Sequence, residues 1–306
     1  MKSSVTSSAR KTPTESLQGM AKTVAVAVVI PTYRRGDKVL TTLRKIMACD
    51  PLPAEIWIHV DQTDGLLEAQ LAEQFPTVRV ISSTGRLGPG GGRHRCLELC
   101  AAPLAVSFDD DSYPCDSDFF ERVVTLFAEH PNAGVVGAAI WHPHQAEIPR
   151  ATTLVRKLGF TGCGHAIRLS AYRDIPGYVP RGVAYGMEEA DVSLQLFARK
   201  WTIYESGELR VFHDTALAHH RSPEITEGVV TNVALLAFLR YPVWFWFWGL
   251  LQVGSMIRFC LRAGRWRGVF TGVVGIPAVC LAFRRFRHVL PTRAVFDYLR
   301  SRSAIR

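Results

Sequence analysis

The amino-acid sequence predicts an α/β fold in which a mostly parallel central sheet is flanked by helices, followed by a separate helical C-terminal region. Short apolar runs alternate with amphipathic runs through the first half of the chain, and this alternation is typical of a parallel sheet with helical crossovers. Residues 240–306 hold 12 arginines and one acid, whereas residues 1–239 hold 24 Lys and Arg against 26 Asp and Glu. The two parts therefore differ in charge as well as in pattern.

We divide the chain into a mobile N-terminal segment (1–23), an α/β domain (24–222) and a C-terminal region (223–306). The first segment is rich in Ser, Thr and Lys, a composition that favours disorder, and it has no convincing export signal. The seven cysteines are scattered and form no CxxC pair. This cysteine pattern favours a reduced, cytoplasmic location.

The elements of the α/β domain follow from hydrophobic spacing. Val24–Ile30 is an unbroken apolar run, as expected of a buried first strand, and apolar residues recur at helical spacing in 38–47. Ligands of open α/β sheets bind beyond the carboxyl ends of the strands, so the segments after each strand are expected to carry the chemistry. Further strands are predicted at 56–60, 78–82, 104–108 and 135–140, and further helices at 67–74, 92–100, 119–128 and 192–198.

Three consecutive acids, Asp109, Asp110 and Asp111, follow the fourth predicted strand. Their charges repel one another unless a cation collects them. Asp109 and Asp111 share one side of an extended backbone, and such carboxylates suit Mg²⁺ or Mn²⁺ bridging to a diphosphate. The alternative interpretation is a solvated acidic turn, favoured by the Ser-Tyr-Pro that follows.

Two further loops, 31–35 after the first strand and 61–65 after the second, have side chains suited to a nucleoside. Tyr33 is placed to stack on a base and Asp61 to accept a hydrogen bond from a ring NH. For either loop taken alone, a plain turn is the favoured interpretation.

The glycine-rich segment 88–95 (Gly-Pro-Gly-Gly-Gly-Arg-His-Arg) opens a predicted helix. Glycine lets the backbone approach a phosphate, and a helix N-terminus with Arg93 favours anions. The segment follows the third strand, lacks the final glycine of a dinucleotide fingerprint and contains no GK[ST]. Neither a Rossmann site nor a P-loop is therefore predicted.

Three acids, Glu188, Glu189 and Asp191, precede the helix at 192–198. Adjacent acids raise one another's pKa, as a general base near neutral pH requires. Acids that merely cap the helix are the alternative. His219, or its neighbour His220, is a candidate additional metal ligand, although a surface histidine pair is the simpler interpretation.

Taken in order, these segments resemble the large family 2 of inverting glycosyltransferases, which have the GT-A fold and include many bacterial enzymes of cell-surface glycans. The resemblance spans about Val24 to Leu239 and lies in the order of five motifs. It implies a nucleoside-diphosphate sugar donor and Mn²⁺ or Mg²⁺ as cofactor. The implied donor-binding residues are Pro31, Thr32, Tyr33, Arg35, Asp61, Thr63, Asp64, Gly92, Arg93, Asp109 and Asp110, and the implied metal ligands are Asp109, Asp111 and His219.

The same resemblance implies a catalytic base. The segment 188–191 (Glu-Glu-Ala-Asp) is similar to the family's Glu-Asp-x-Asp, whose second acid is usually the base, which gives that role to Glu189. The change from Asp to Glu leaves Glu188 and Asp191 as alternatives. Residues 162–164 (Gly-Cys-Gly) correspond to the family's small-residue segment beside the acceptor pocket.

The C-terminal region predicts membrane association. Residues 241–257 and 268–283 are uncharged stretches of 17 and 16 residues, slightly short of the roughly 20 that a span needs. Their tryptophans and Arg-rich flanks favour interfacial helices or a re-entrant hairpin on an anionic membrane surface, at the cytoplasmic face of the inner membrane. A buried helical subdomain is the alternative. The absence of Lys and the long apolar runs argue against nucleic acid as a partner.

The expected activity is transfer of a single sugar to a hydroxyl of a glycan or lipid-linked acceptor. One alternative is a processive membrane synthase, but such enzymes usually carry QxxRW, and here Trp201 follows Ala198-Arg199-Lys200. Another is a catalytically silent subunit that binds sugar nucleotides and scaffolds a membrane assembly.

Overall fold

A computed structural model describes residues 22–143, 145–183, 185, 187–215 and 222–304. In this part of the chain one sheet contains all the strands, and its order is β3-β2-β1-β4-β8-β6-β9-β5, with β7 paired to β9. The strands are β1 (Thr23–Thr32), β2 (Leu52–Asp61), β3 (Arg79–Ser83), β4 (Leu104–Ser107), β5 (Ser112–Pro114), β6 (Ala133–Trp141), β7 (Leu154–Lys157), β8 (His165–Arg168) and β9 (Thr202–His213).

The helices cover both faces of the sheet and continue beyond it into the C-terminal region. They are α1 (Gly36–Ile46), α2 (Gly65–Gln74), α3 (Gly88–Leu99), α4 (Phe119–Glu129), α5 (Leu169–Arg173), α6 (Glu188–Ala198), α7 (Pro223–Arg240), α8 (Trp246–Arg262), α9 (Val269–Ala282) and α10 (Thr292–Ala304). Short 3-10 turns at Val243–Phe245 and Arg284–Phe286 precede and follow the α8–α9 pair.

The sheet is mixed, so the prediction of a mostly parallel sheet holds for only part of it. Strands β3, β2, β1 and β4 run parallel, as do β6 and β9. The pairings of β4 with β8, β5 with β9, β6 with β8 and β7 with β9 are antiparallel. Parallel neighbours need a long crossover whereas antiparallel ones do not, and the apolar pattern of a strand does not reveal its direction.

The central strand β1 is buried on both faces because every residue from Val26 to Ile30 is apolar and fully covered. Its alternate side chains enter two cores. Val26, Val28 and Ile30 pack with residues of α1, α2 and α4 on one face, and Ala27 and Val29 pack with residues of α3 and α6 on the other. The predicted apolar stripe of the first helix is confirmed by the burial of Val39, Leu40, Leu43 and Ile46.

Two predicted helix starts are wrong by four residues. The helix predicted from 92 begins at Gly88, with Pro89 in its first turn, and the helix predicted from 192 begins at Glu188. Glycines and acids carry no apolar spacing, so hydrophobic periodicity misses these first turns. Proline is nevertheless well suited to the first turn of a helix, and acids are favoured there.

The C-terminal helices pack against the α/β domain through a third core. Leu194 of α6 contacts a cluster that includes Leu235 and Leu239 of α7 and Val295 and Tyr298 of α10. Among the described residues, no helix combines the length and hydropathy that crossing a membrane requires. Many large apolar side chains of this region are instead exposed, among them Val243, Trp244, Phe247, Trp248, Leu250, Phe259, Trp266, Phe270, Val274 and Leu281.

Candidate active site

A cleft of about 560 Å³ lies at the carboxyl ends of β1 and β4. The residues that follow these strands line it, together with residues 160–163 and the first turn of α6. The structure thereby collects most of the side chains that the sequence singles out. They are Pro31, Thr32, Tyr33, Arg35, Asp61, Arg93, Asp109, Asp110, Asp111, Glu188 and Glu189.

Asp110 fixes the acidic segment to the first strand and helix. Its Oδ2 accepts a hydrogen bond of 3.0 Å from Thr32 Oγ1, its backbone oxygen accepts one of 2.9 Å from Thr42 Oγ1, and Arg35 Nη1 lies 2.8 Å from its Oδ1. Burial raises the pKa of Asp110 to about 7, against the opposing charge of Arg35. The middle acid therefore orients the loop so that its two neighbours face the cleft.

Asp111 is the most enclosed carboxylate of the three. Arg35 Nη2 lies 2.5 Å from its Oδ2, and His213 Nε2 lies 3.2 Å from its Oδ1. Burial acts to raise the pKa of Asp111, but its contacts with His213 and Arg35 outweigh that effect and hold the pKa below its ordinary value. Asp111 is consequently a carboxylate at neutral pH, as a metal ligand must be.

His213 is a site residue that the sequence interpretation missed. It ends β9, where pairing with Ser112 of β5 carries it to the acidic segment. Ligand atoms of Asp109, Cys163 and His213 lie within 4.8 Å of one another, and His213 Nε2 is 4.0 Å from Asp109 Oδ2. His213 is the last residue of its strand, so the same strand-end argument that identified Asp109 would have found it had β9 been recognised.

The arrangement fits a divalent ion. Asp111 Oδ1 is buried and accepts no well-aligned hydrogen bond, and neighbouring ligands of one ion lie about 3 Å apart when each bond is about 2.1 Å. Cys163 is the least suited of these side chains to Mg²⁺ or Mn²⁺, because these ions prefer oxygen ligands to the softer thiolate, and burial also raises the pKa of its thiol. Asp109, Asp111 and His213 are thus the side chains that could hold such an ion. The predicted ligand His219 and its alternative His220 lie outside the described residues.

Arg93 connects the acidic segment to the glutamates of α6. The guanidinium is fully buried; its Nε donates to Ser107 Oγ at 2.8 Å, its Nη1 lies 3.3 Å from Glu188 Oε2, and its Nη2 forms an ion pair with Asp109. Burial lowers the pKa of Arg93, but Asp109 and Glu188 more than compensate and raise it. A permanent positive charge therefore lies between the two groups of acids.

Glu188 and Glu189 occupy the first turn of α6, and a glycine makes room for each. Glu188 is buried and accepts a hydrogen bond of 2.5 Å from the Gly90 amide. A Cβ on Gly90 would overlap the Glu188 carboxylate, and one on Gly162 would overlap that of Glu189. Burial raises the pKa of both glutamates, and the charge of Glu189 raises that of Glu188 further. Both carboxyls therefore hold a proton more tightly than an ordinary glutamate.

Asp191, the third candidate base, lies elsewhere. Both of its oxygens bind Arg240, with Arg240 Nε 2.6 Å from Oδ1 and Nη2 2.8 Å from Oδ2. The two side chains are each 1% exposed, and Asp191 does not line the cleft. Of the three acids left open by the sequence, two are at the cleft and one holds α6 to α7.

The predicted nucleotide loops behave differently from each other. Tyr33 lines the cleft, and the guanidiniums of Arg34 and Arg86 each lie 5.0 Å from its ring centroid. Asp61 also lines the cleft, but its carboxylate accepts hydrogen bonds from the amides of Leu87 and Gly88 at 2.8 and 2.9 Å. Tyr33 presents an aromatic face, whereas Asp61 holds the start of α3.

Three predicted donor-binding residues do not line the cleft. The Thr63 amide donates to the Ser83 carbonyl, and Asp64 caps α2 by accepting a hydrogen bond of 3.2 Å from the Leu67 amide. A Cβ on Gly92 would lie 2.7 Å from His59 Nδ1, so Gly92 allows α3 to pack closely on the sheet. These residues support the loops on which the cleft residues stand.

Comparisons with known proteins agree with this architecture. The family model "Glycosyltransferase like family 2" matches residues 24–191, and no curated protein sequence matches significantly. A structure of GalNAc-T7 with UDP, GalNAc and Mn²⁺ aligns with TM-score 0.57 and 14% identity over 71% of this chain, which spans 48% of that one. A mannosyltransferase, PcManGT of Pyrobaculum calidifontis, in complex with GDP-Man and Mn²⁺, aligns with TM-score 0.55 and 14% identity over 92% of this chain and 80% of that one.

The structural matches concern the fold, and the family match covers more than half of the chain. The chain belongs to the family-2-like glycosyltransferases and has the GT-A fold.

Proposed function

We propose that the protein transfers one sugar from a nucleoside-diphosphate sugar to a hydroxyl of a glycan or lipid-linked acceptor, with inversion at the anomeric carbon. The observation that carries the proposal is the position of Arg93, which contacts Asp109 on one side and Glu188 on the other. Acids suited to a diphosphate-bound metal and acids suited to proton abstraction therefore share one cleft. The known structures aligned above hold UDP or GDP-Man together with Mn²⁺, which supports a donor of this class.

Asp109, Asp111 and His213 would hold Mn²⁺ or Mg²⁺, with His219 as a further candidate ligand. When bound, such an ion neutralises charge that develops on a departing diphosphate. The Arg35 side chain is 43% exposed and is paired with Asp110 and Asp111, so it is placed to move onto a phosphate when a donor enters. Tyr33 offers its ring to the base of the nucleotide.

Glu189 would take the proton from the acceptor hydroxyl. It lines the cleft beside Gly162, in the segment that would receive the acceptor, and its raised pKa suits a base that works near neutral pH. Glu188 is engaged by the Gly90 amide and Arg93, which suits a residue that fixes the site. Attack from the face opposite the diphosphate accounts for inversion.

The C-terminal region would bind the cytoplasmic face of the inner membrane without spanning it. Exposed tryptophans at 244 and 248 and an exposed Phe247 precede or begin α8, and aromatic side chains of this kind prefer the headgroup zone. The excess of arginine in residues 240–306 adds attraction to anionic lipid. Washing membranes with salt, carbonate and then detergent would distinguish surface binding from insertion.

The proposed function is tested by incubating purified protein with a panel of nucleotide sugars, with and without Mn²⁺. We expect one donor to raise the melting temperature in a Mn²⁺-dependent manner and to be hydrolysed slowly when no acceptor is present. A donor that binds but is neither hydrolysed nor transferred would indicate the silent scaffold instead. Retention of configuration in the product, read by NMR, would contradict the inverting mechanism.

A further inference from the structure

A second cavity, of about 800 Å³, lies outside the cleft between α6, α7, α8 and α10. Its size is within the range of small-molecule sites. One face of α8 forms much of its lining, because the lining residues recur at intervals of three and one: Trp248, Leu251, Gln252, Ser255, Met256 and Phe259. Trp248, Leu251 and Phe259 are also exposed large apolar residues, so the cavity is continuous with the apolar surface of the C-terminal region.

Helix α6 separates this cavity from the cleft. Ala190 and Leu194, one helical turn apart, line the cavity, whereas Glu188 and Glu189 at the start of the same helix line the cleft. An occupant of the cavity is therefore held by the helix that carries the candidate base.

The charge at the cavity is positive. Arg300 and Arg302 of α10 line it, and no acid does so among the described residues. Asp297 lies 3.9 Å from Arg300 and shares its charge with Arg293 at 3.8 Å, so most of the charge of Arg300 and Arg302 is uncompensated. Helix α10 packs on α6, where the rings of Tyr298 and Phe197 lie 5.3 Å apart. Apolar walls beside two guanidinium groups match a molecule with an apolar chain and an anionic headgroup.

We propose that this cavity binds the apolar chain of the acceptor, and that the acceptor is a phosphate-bearing lipid whose headgroup is recognised by Arg300 and Arg302. The inference rests on the proposed function, which it deepens by assigning a lipid rather than a soluble glycan as the acceptor. With the apolar chain seated against Ala190 and Leu194, the end of the lipid that carries the accepting hydroxyl would be directed toward the α6 turn at Glu189.

The test uses decyl phosphate, with decanol and inorganic phosphate as reference probes, below the micellar concentration. Isothermal titration calorimetry should detect binding of decyl phosphate to the full-length protein and at least tenfold weaker binding of inorganic phosphate. Ser255→Trp, which places an indole in the cavity from an exposed position on α8, should lower the affinity for decyl phosphate at least tenfold. Leu250→Trp, an equally bulky change at an α8 position outside the cavity, should keep that affinity within twofold of wild type.

The charge is tested in the same way. Arg302→Gln should lower the affinity for decyl phosphate severalfold and leave the affinity for decanol unchanged. Arg293→Gln is the matched control, because Arg293 is on the same helix, is 94% exposed and does not line the cavity. Circular dichroism and thermal unfolding establish that each variant is folded. Absence of binding to the wild type, or equal loss in the paired variants, would overturn the proposal.

A lipid that only anchors the protein would give the same binding, so a second measurement distinguishes an acceptor lipid from an anchoring lipid. Decyl phosphate has no alcohol hydroxyl, and in the acceptor position it should slow donor hydrolysis by wild type and by Leu250→Trp at least fivefold, but not by Ser255→Trp. A glycosyl decyl phosphate, formed by attack of a phosphate oxygen with release of the nucleoside diphosphate and detected by mass spectrometry, would equally place the lipid in the acceptor position. Binding without any effect on hydrolysis would assign the cavity to an anchoring lipid and overturn the proposal. Absence of hydrolysis with every donor would instead refute the proposed function, while calorimetry still reports on the cavity.

Discussion

Asp191 and Arg240 form a buried ion pair with two hydrogen bonds, which joins the first turn of α6 to the last turn of α7. Arg240 also donates to the carbonyl of Phe286 at 3.2 Å, and its own carbonyl accepts from the Leu290 amide at 2.9 Å. The helix that carries Glu188 and Glu189 is thus connected to the C-terminal region by one guanidinium.

Removing one member of this pair should destabilise the protein strongly. Asp191→Asn leaves the Arg240 charge buried without its partner, and such changes cost about 3–5 kcal/mol. Urea unfolding measures the loss. The control is Asp297→Asn, which breaks the exposed contact with Arg293 at 3.8 Å and should change the free energy of unfolding by less than about 1 kcal/mol. Equal effects of the two substitutions would contradict the role assigned to the buried pair.

Glu189→Gln should lower the rate of transfer by about 10² to 10⁴ without weakening donor binding, since a general base contributes that much. Single-turnover kinetics with a radiolabelled donor measure the rate, and thermal shift measures the binding. Glu188→Gln is the paired variant, because Glu188 lies beside Glu189 in the same first turn of α6. If Glu189→Gln remained within a few-fold of wild type while Glu188→Gln abolished transfer, the base would be Glu188.

Gly162→Ala should impair transfer although it changes only one methyl group. The added Cβ would overlap the Glu189 carboxylate and lie 3.3 Å from Arg93 Nη2, and displacement of a catalytic group by about 1 Å costs on the order of 10² in rate. Gly159→Ala is the matched control, because its nearest neighbour, Ser193 Oγ, is 3.8 Å from the added Cβ. Normal activity of Gly162→Ala would mean that Glu189 does not need its present position.

His213→Ala should weaken Mn²⁺ binding by on the order of 10-fold to 100-fold, the effect expected when support of a metal site is lost. Electron paramagnetic resonance of free Mn²⁺ in the presence of UDP or GDP measures the affinity. His130→Ala, which removes a ring that packs on Tyr204, should leave the affinity unchanged. His219→Ala in the same assay decides whether the ligand inferred from the family resemblance contributes, and a loss confined to His219→Ala would exclude His213.

The glutamate pair predicts opposite responses of activity and stability to pH. Since the folded-state pKa values of Glu188 and Glu189 are raised, the basic form needed for catalysis is lost as pH falls through a value above the ordinary glutamate pKa of about 4.3. Their contribution to stability is fully present below that ordinary value and is lost as pH rises through the raised pKa values. The pH profile of kcat/KM measures the effect on activity, and the pH dependence of the melting temperature of the protein without metal or donor measures the effect on stability. Glu188→Gln should flatten the pH dependence of the melting temperature. A kcat/KM profile flat between pH 5 and 8 would contradict a base with a raised pKa.

The sequence predicts those site residues that come directly after a strand with a clear apolar pattern. Asp109 and Asp111 come directly after a buried apolar strand, and the structure places both at the cleft. His213 was missed because β9 mixes polar and apolar residues over its 12 positions, so no strand end was recognised before it. Thr63, Asp64 and Gly92 were assigned to the donor by family resemblance, whereas their contacts within the fold are local capping and packing.

The sequence by itself determined the layered α/β arrangement, because burial of apolar residues at periods of two and 3.6 is a local property of the chain. It also determined that acids gather after the fourth strand and next to the apolar helical run at 192–198. The tertiary structure alone decided the antiparallel half of the sheet, the junction of Arg93 with Asp109 and Glu188, the pairing of Asp191 with Arg240 and the cavity behind α6. Each of these joins residues that are distant in sequence, and only packing selects which side chains meet.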